Sequence, residues 1–373
     1  MVKHQDNYLI QLDGLRFMAV ALVLWDHWMP EPHTLPFGKL GVNLFFVLSG
    51  FLIARILLSS KDKNYGKEGG LGDYLKKFYI RRTLRIFPIY YLSLLVLWLL
   101  RDPSVRGKEW WQILYASNIY IAVKKTWLGV TDHFWSLAVE EQFYIFFPLL
   151  IFFIPRRYVV PFFGILIAFS VLLRAYFLVT DQPWYVSYVT MPTALDAFGF
   201  GALMAYSQLY HRPFFQKLFS NRLYLWLSLG ALAVIFILSA QLTKAGVTQD
   251  QNLYITIWER FFASIFFMFL IGGAIIGYKG WFKWFLEHPV SNYLGKISYG
   301  LYVYHNFVYN HYHSPSYHPV VRLFNKLGRN IEGFQEMHAL QILILFSLTT
   351  VVATVSWYLI EKPINNLKDK YAP

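Results

Sequence analysis

The chain has 373 residues, 56% hydrophobic, 20% aromatic and 15% charged, with a mean hydropathy of +0.38; soluble domains carry about 25% charged residues, so a polytopic membrane protein is implied. The formal net charge of +13 suits Lys- and Arg-rich cytoplasmic loops and is not read as nucleic-acid binding. The lack of cysteine excludes disulfides, thiolate metal sites and a cysteine nucleophile.

Roughly 20 apolar residues cross the about 30 Å hydrocarbon core. Ten such stretches are predicted, at 15–30, 41–59, 86–101, 136–154, 157–178, 191–208, 223–242, 255–278, 297–313 and 339–360. The expected fold is therefore an all-α membrane bundle of ten transmembrane helices, forming one domain over 1–373. With both termini cytoplasmic, most Lys and Arg fall in inner segments, as the positive-inside rule asks. No small-residue cleavage pattern follows the first apolar run, so no signal peptide is expected.

The first span carries Arg16 and His27, eleven residues apart. At about 100° per residue, eleven steps return to nearly the same face, about 16 Å along the axis. His27 is thus placed near mid-membrane when Arg16 lies at the inner boundary. An ionisable residue there is a functional candidate, and a snorkelling Arg16 with His27 at the helix end is the alternative. Asp26 points away from that face and reads as a solvated end residue.

The segment 60–77 is polar and reads as a mobile loop. The stretch FYIRRTLRIFPIYY, 78–91, follows it, with Arg82 and Arg85 on one helical face beside Arg81. They form either an ordinary positive-inside cluster or an anion site, since the guanidinium fork matches phosphate oxygens. The connection 102–135 is the longest. In FWSLAVEEQFYIFFP, 134–148, Ser136, Glu140 and Tyr144 recur every fourth residue and share a face, with Glu141 adjoining. Two carboxylates entering an apolar span need partners. One of them could ion-pair within the bundle, or could fix the tautomer of a histidine acting as a base.

Asp196 opens the sixth span and reads first as a helix N-terminal stabiliser; Gly199, Gly201 and Ala202 suggest close packing. His305, in the ninth span, suits a buried hydrogen bond or a catalytic role. His311, His313 and His318 approach metal-ligand spacing in a Tyr- and Pro-rich loop, and no metal is assigned to them. The connection 314–338 is the second longest.

These stretches, with GVNLFFVLSGFLI (41–53), LDAFGFGALMA (195–205), LGKISYGLYVYH (294–305) and SWYLIEKP (356–363), resemble the membrane-bound acyltransferase-3 family nearly end to end. The resemblance implies transfer of an acyl group, usually acetyl, from cytoplasmic acetyl-CoA to a hydroxyl of an envelope carbohydrate. Lipopolysaccharide O-antigen, exopolysaccharide and glycolipids are such acceptors, in a bacterial cytoplasmic (inner) membrane. The chain ends just past the tenth span, so a member without a fused SGNH hydrolase-like domain is expected. On this reading Arg82, Arg85 and Arg16 hold the coenzyme A phosphates and His27 is the general base. Glu140, with Glu141 in reserve, orients His27, and Ser136 positions the acceptor or bonds the carboxylates. A proton-coupled glycan or lipid-linked sugar transporter is the competing class.

Overall fold

The computed structural model describes residues 8–29 and 35–372, which form helices and no strands. Ten main helices follow the apolar pattern. They are α1 (Ile10–Trp28), α2 (Phe37–Asn64), α3 (Gly70–Leu99), α4 (Phe134–Phe153), α5 (Val159–Val179), α6 (Leu195–Tyr210), α7 (Arg222–Lys244), α8 (Glu259–Ile276), α9 (Ser298–Val308) and α10 (His338–Ser356).

Among the described residues, seven of these qualify as membrane spans by length and apolarity: α2, α3, α4, α5, α7, α8 and α10. The other three expected spans are helices of a different kind. Charged Asp13, Arg16 and Asp26 interrupt α1, whereas α6 and α9 have only 16 and 11 residues. The structure also corrects the predicted loop 60–77. There α2 runs on to Asn64 and α3 starts at Gly70, leaving a turn with Gly66 and Gly69 at φ +80° and +68°. The polar residues extend these helices because they dock: Tyr74 is buried and its hydroxyl donates to Pro148 O at 3.1 Å, while Lys61 Nζ reaches Ile151 O at 3.0 Å.

α2 is the central helix, packed against α1, α4, α6 and α8. It is apolar on all sides, as a core helix must be, and 67% of its most apolar stretch is buried, against 17% for α5 and 22% for α7 and α10. Those three present side chains outward, as lipid-facing helices do. α2 crosses α6 at two glycines: a Cβ on Gly201 would lie 2.2 Å from Val47 O, and one on Gly50 would lie 2.3 Å from Phe198 O. Backbones this close tolerate no side chain, which is the small-residue route to tight helix packing in membranes.

Asp196 lies in the first turn of α6, with a fully buried partner. Its Oδ2 is 2.6 Å from Arg174 Nη2, with both side chains at most 2% exposed. Arg174 also donates to Thr193 O at 2.6 Å and Ile257 O at 3.1 Å. This pair ties α5 to α6.

The connection before α4 is ordered. It contains short helices Glu109–Ile113 and Ser117–Lys124. Buried Gln112 anchors it by accepting from Tyr90 Oη at its carbonyl and donating to Thr131 Oγ1. The segment before α10 carries an amphipathic helix, Pro319–Asn330.

Candidate functional site

A cavity of about 860 Å³ opens between α1, α2, α3, α4 and α9. Arg16, Arg82, Arg85, Ser136, Glu140 and Glu141 all line it. Six of the seven residues to which the family resemblance gives a role, all but His27, therefore share one space, although they come from three helices far apart in the chain. Arg85 is exposed into the cavity despite its mid-helix position. Arg82 sits over the Tyr144 ring, 4.7 Å from its centroid. Arg16 forms an ion pair with Asp13, which also accepts from Tyr8 Oη. Three guanidinium groups around one cavity suit a multiply charged anion.

The carboxylates are held otherwise than the sequence suggested. Glu140 Oε1 accepts from Ser49 Oγ at 2.9 Å and Oε2 from Tyr144 Oη at 3.0 Å. Its bonds thus run within the arginine cavity, and the hydrogen bond of His27 goes elsewhere. Glu141 Oε1 is buried with no hydrogen-bond partner among the described residues. Ser136 Oγ donates to His133 O at 3.0 Å and lies 2.5 Å from Tyr302 Oη, so it serves the α4–α9 contact rather than the carboxylates.

His27, half-buried near the end of α1, does not line this cavity. Its Nδ1 lies 2.7 Å from Nε2 of His305, the two rings stacked at 14° with centroids 5.0 Å apart. His305 is fully buried, and its Nδ1 is 2.5 Å from Tyr302 O. This geometry fixes the protons when both rings are neutral. A carbonyl oxygen can only accept, so His305 Nδ1 carries hydrogen and its Nε2 is the acceptor. His27 Nδ1 must then donate, which leaves Nε2 as the nitrogen of His27 that carries the lone pair. A neutral imidazole with one proton-accepting nitrogen is the state a general base requires.

His133 completes the cluster. Its ring meets that of His305 edge-on at 4.9 Å, its Nε2 faces Val303 O at 3.1 Å, and its Nδ1 faces Asn306 Nδ2 at 2.8 Å. Neither His133 nor Tyr302 was singled out from sequence. Both follow a readable pattern, because His133–Ser136 and Tyr302–His305 are spaced three apart and so share helix faces.

Two of the three loop histidines do other work. His313 Nε2 pairs with Asp132 Oδ2 at 2.5 Å. His318 caps the helix Pro319–Asn330, its Nδ1 accepting from Val320 N–H, and burial holds its pKa below the ordinary value. Among the described residues no group of side chains has metal-ligand geometry.

The family described as acyltransferase domain matches residues 9–361. A Staphylococcus aureus (strain COL) protein named "Putative O-acetyltransferase SACOL0978" is 30% identical over 333 residues, covering 83% of this chain and 52% of that protein. The O-acetyltransferase OatA of S. aureus (strain NCTC 8325 / PS 47) is 27% identical over 384 residues, covering 97% of this chain and 58% of its own length. The chain thus spans about half the length of these curated relatives. No solved structure matches it. A helical membrane bundle with a match across nearly its whole length carries one conclusion: the chain belongs to the acyltransferase-3 family of membrane-bound acyltransferases.

Proposed function

We propose that this protein is an O-acetyltransferase of the bacterial cytoplasmic (inner) membrane. It moves acetyl from cytoplasmic acetyl-CoA to a hydroxyl of an envelope carbohydrate, such as a lipopolysaccharide O-antigen, an exopolysaccharide or a glycolipid. The carrying observation is the unbroken line of contacts from the arginine cavity, through Ser136 and Tyr302, to His305 and His27.

The donor's phosphates rest on Arg82 and Arg85, with Arg16 as a further contact. The pantetheine arm runs past Ser136 and Tyr302 and brings the thioester to His27. His27 Nε2 takes the acceptor's hydroxyl proton as that oxygen attacks the thioester carbonyl. The new C–O bond forms, the C–S bond breaks, and the departing thiolate takes the proton from the imidazolium. Positioned base catalysis contributes about a hundredfold to ten-thousandfold. His305 orients the base, the role first assigned to Glu140. Glu140 and Glu141 instead balance the arginines and shape the donor cavity.

The test is mass spectrometry of envelope glycans and glycolipids from strains with and without the gene. The proposal expects one acetyl mass to disappear from one carbohydrate class in the deletion strain. Unmodified glycan that fails to cross the membrane, with every acetyl group still in place, would favour a transporter.

A further inference from the structure

A second cavity, of about 440 Å³, lies at the same end of the bundle as His27, between the first turns of α2, the short helix Trp184–Val189 and the start of α8. We propose that it is the acceptor subsite and takes one neutral sugar ring; this rests on the carbohydrate-acetylating reading above.

The lining has the chemistry of a polyol site. Ser187 Oγ and Thr256 Oγ1 face it, both side chains more than nine-tenths buried and both hydroxyls without a partner among the described residues. A buried hydroxyl left unbonded is costly, and a ligand hydroxyl removes that cost. Lys39 Nζ and Glu259 Oε2 stand 3.9 Å apart, too far for a hydrogen bond to each other. They offer a donor and an acceptor to the same ligand, and their charges cancel. Arg174 is neutralised by Asp196, and the other guanidinium in the wall, Arg260, is engaged by the carbonyls of Tyr188 and Thr193, so the groups left to a ligand suit sugar hydroxyls better than a phosphate. Trp184 and Tyr188 supply aromatic faces for the C–H side of a pyranose, their rings 5.7 Å apart. Lys39 Nζ covers the Trp184 ring at 4.2 Å.

Local backbone supports the assignment. A π-helical turn, Tyr254–Trp258, leads into α8 and carries Thr256 into the wall just before Glu259. Such turns are uncommon and concentrate at functional sites. The pocket also adjoins the proposed base. Gly38, next to Lys39, packs on Asp26, the neighbour of His27; a Cβ there would lie 2.7 Å from Asp26 Oδ2. On the other side, the Tyr188 ring packs at a 55° tilt against that of Trp135, which precedes Ser136, with centroids 4.5 Å apart.

The experiment is saturation-transfer NMR on the full chain in detergent. The probes are methyl α-glucoside, methyl α-rhamnoside and methyl β-N-acetylglucosaminide at millimolar concentration. The wild type and His27→Ala should both saturate the ring protons of at least one sugar, because binding does not need the base. Trp184→Leu and the near-isosteric pair Ser187→Ala/Thr256→Val should cut that signal at least fivefold while keeping wild-type acetyl-CoA binding, which reports an intact fold. No signal from any sugar with wild-type protein that binds acetyl-CoA, or equal signals in all variants, overturns the proposal. Sugar binding that depends on Trp184 without any acetyl transfer would sustain the subsite and defeat the acetyltransferase reading. Acetyl transfer with an acceptor KM unmoved by Trp184→Leu would do the reverse.

Discussion

His27 Nδ1 and His305 Nε2 are 2.7 Å apart, and the far nitrogen of His305 is committed to a carbonyl oxygen. A residue of α9 therefore sets the tautomer of a residue of α1. His305→Ala should lower kcat about a hundredfold, within the usual reach of a misplaced base, with KM for acetyl-CoA unchanged. His305→Gln keeps an acceptor for His27 Nδ1–H and should recover much of that loss. Equal activity in the two variants would show that His305 only fills space.

The arginine cavity predicts a different kinetic signature. Arg82→Ala and Arg85→Ala each remove charge-assisted bonds worth about 1.5–3 kcal/mol. KM for acetyl-CoA should rise about 10- to 100-fold while kcat changes little. Direct titration of acetyl-CoA into purified protein checks this, and unchanged binding would return both residues to the ordinary positive-inside role.

Glu140 separates the two readings of the carboxylates. Its partners are Ser49 and Tyr144. Glu140→Gln can keep one of those acceptors, so it should leave the pH dependence of kcat in place and shift donor KM instead. A displaced pH profile would mean that Glu140 acts on the base.

The Arg174–Asp196 pair should matter for stability and not for chemistry. Removing one member of a buried ion pair costs about 3–5 kcal/mol, so Asp196→Ala should lower the thermal midpoint in detergent sharply. Arg174→Met/Asp196→Leu should be milder than Asp196→Ala alone, because it leaves no uncompensated buried charge.

At the α2–α6 crossing, Gly201→Val places a side chain against Val47 O. Overpacking of this kind costs about 1–3 kcal/mol, and the clash here is with backbone. The expected result is poor accumulation in the membrane. Gly230→Val is the control, because open space surrounds Gly230.

The ten main helices could be placed from the apolar stretches alone, since length and polarity decide what a bilayer accepts. The turn at Tyr65–Gly69 could not, because Lys61 and Tyr74 gain helical docking sites that composition does not encode. Gathering Arg16, Arg82, Arg85 and the two glutamates into one cavity was partly legible, since each helix face could be drawn from its own spacing. The partner of His27 was not. Spacing says which residues share a face on one helix, but His27 and His305 are 278 positions apart and meet only through packing of α1 on α9. Glu140 was the natural choice from sequence because a carboxylate is the commoner partner of a catalytic imidazole, and here the bundle gives that position to a second histidine.

The most direct test of the account is acetyl transfer in membranes bearing wild type or His27→Ala at equal protein levels. Both are supplied with acetyl-CoA isotopically labelled in its acetyl group, and the label on envelope carbohydrate is measured by mass spectrometry. The account predicts labelled carbohydrate with the wild type, at least a hundredfold less with His27→Ala, and equal acetyl-CoA binding by both. Undiminished labelling by His27→Ala would contradict it.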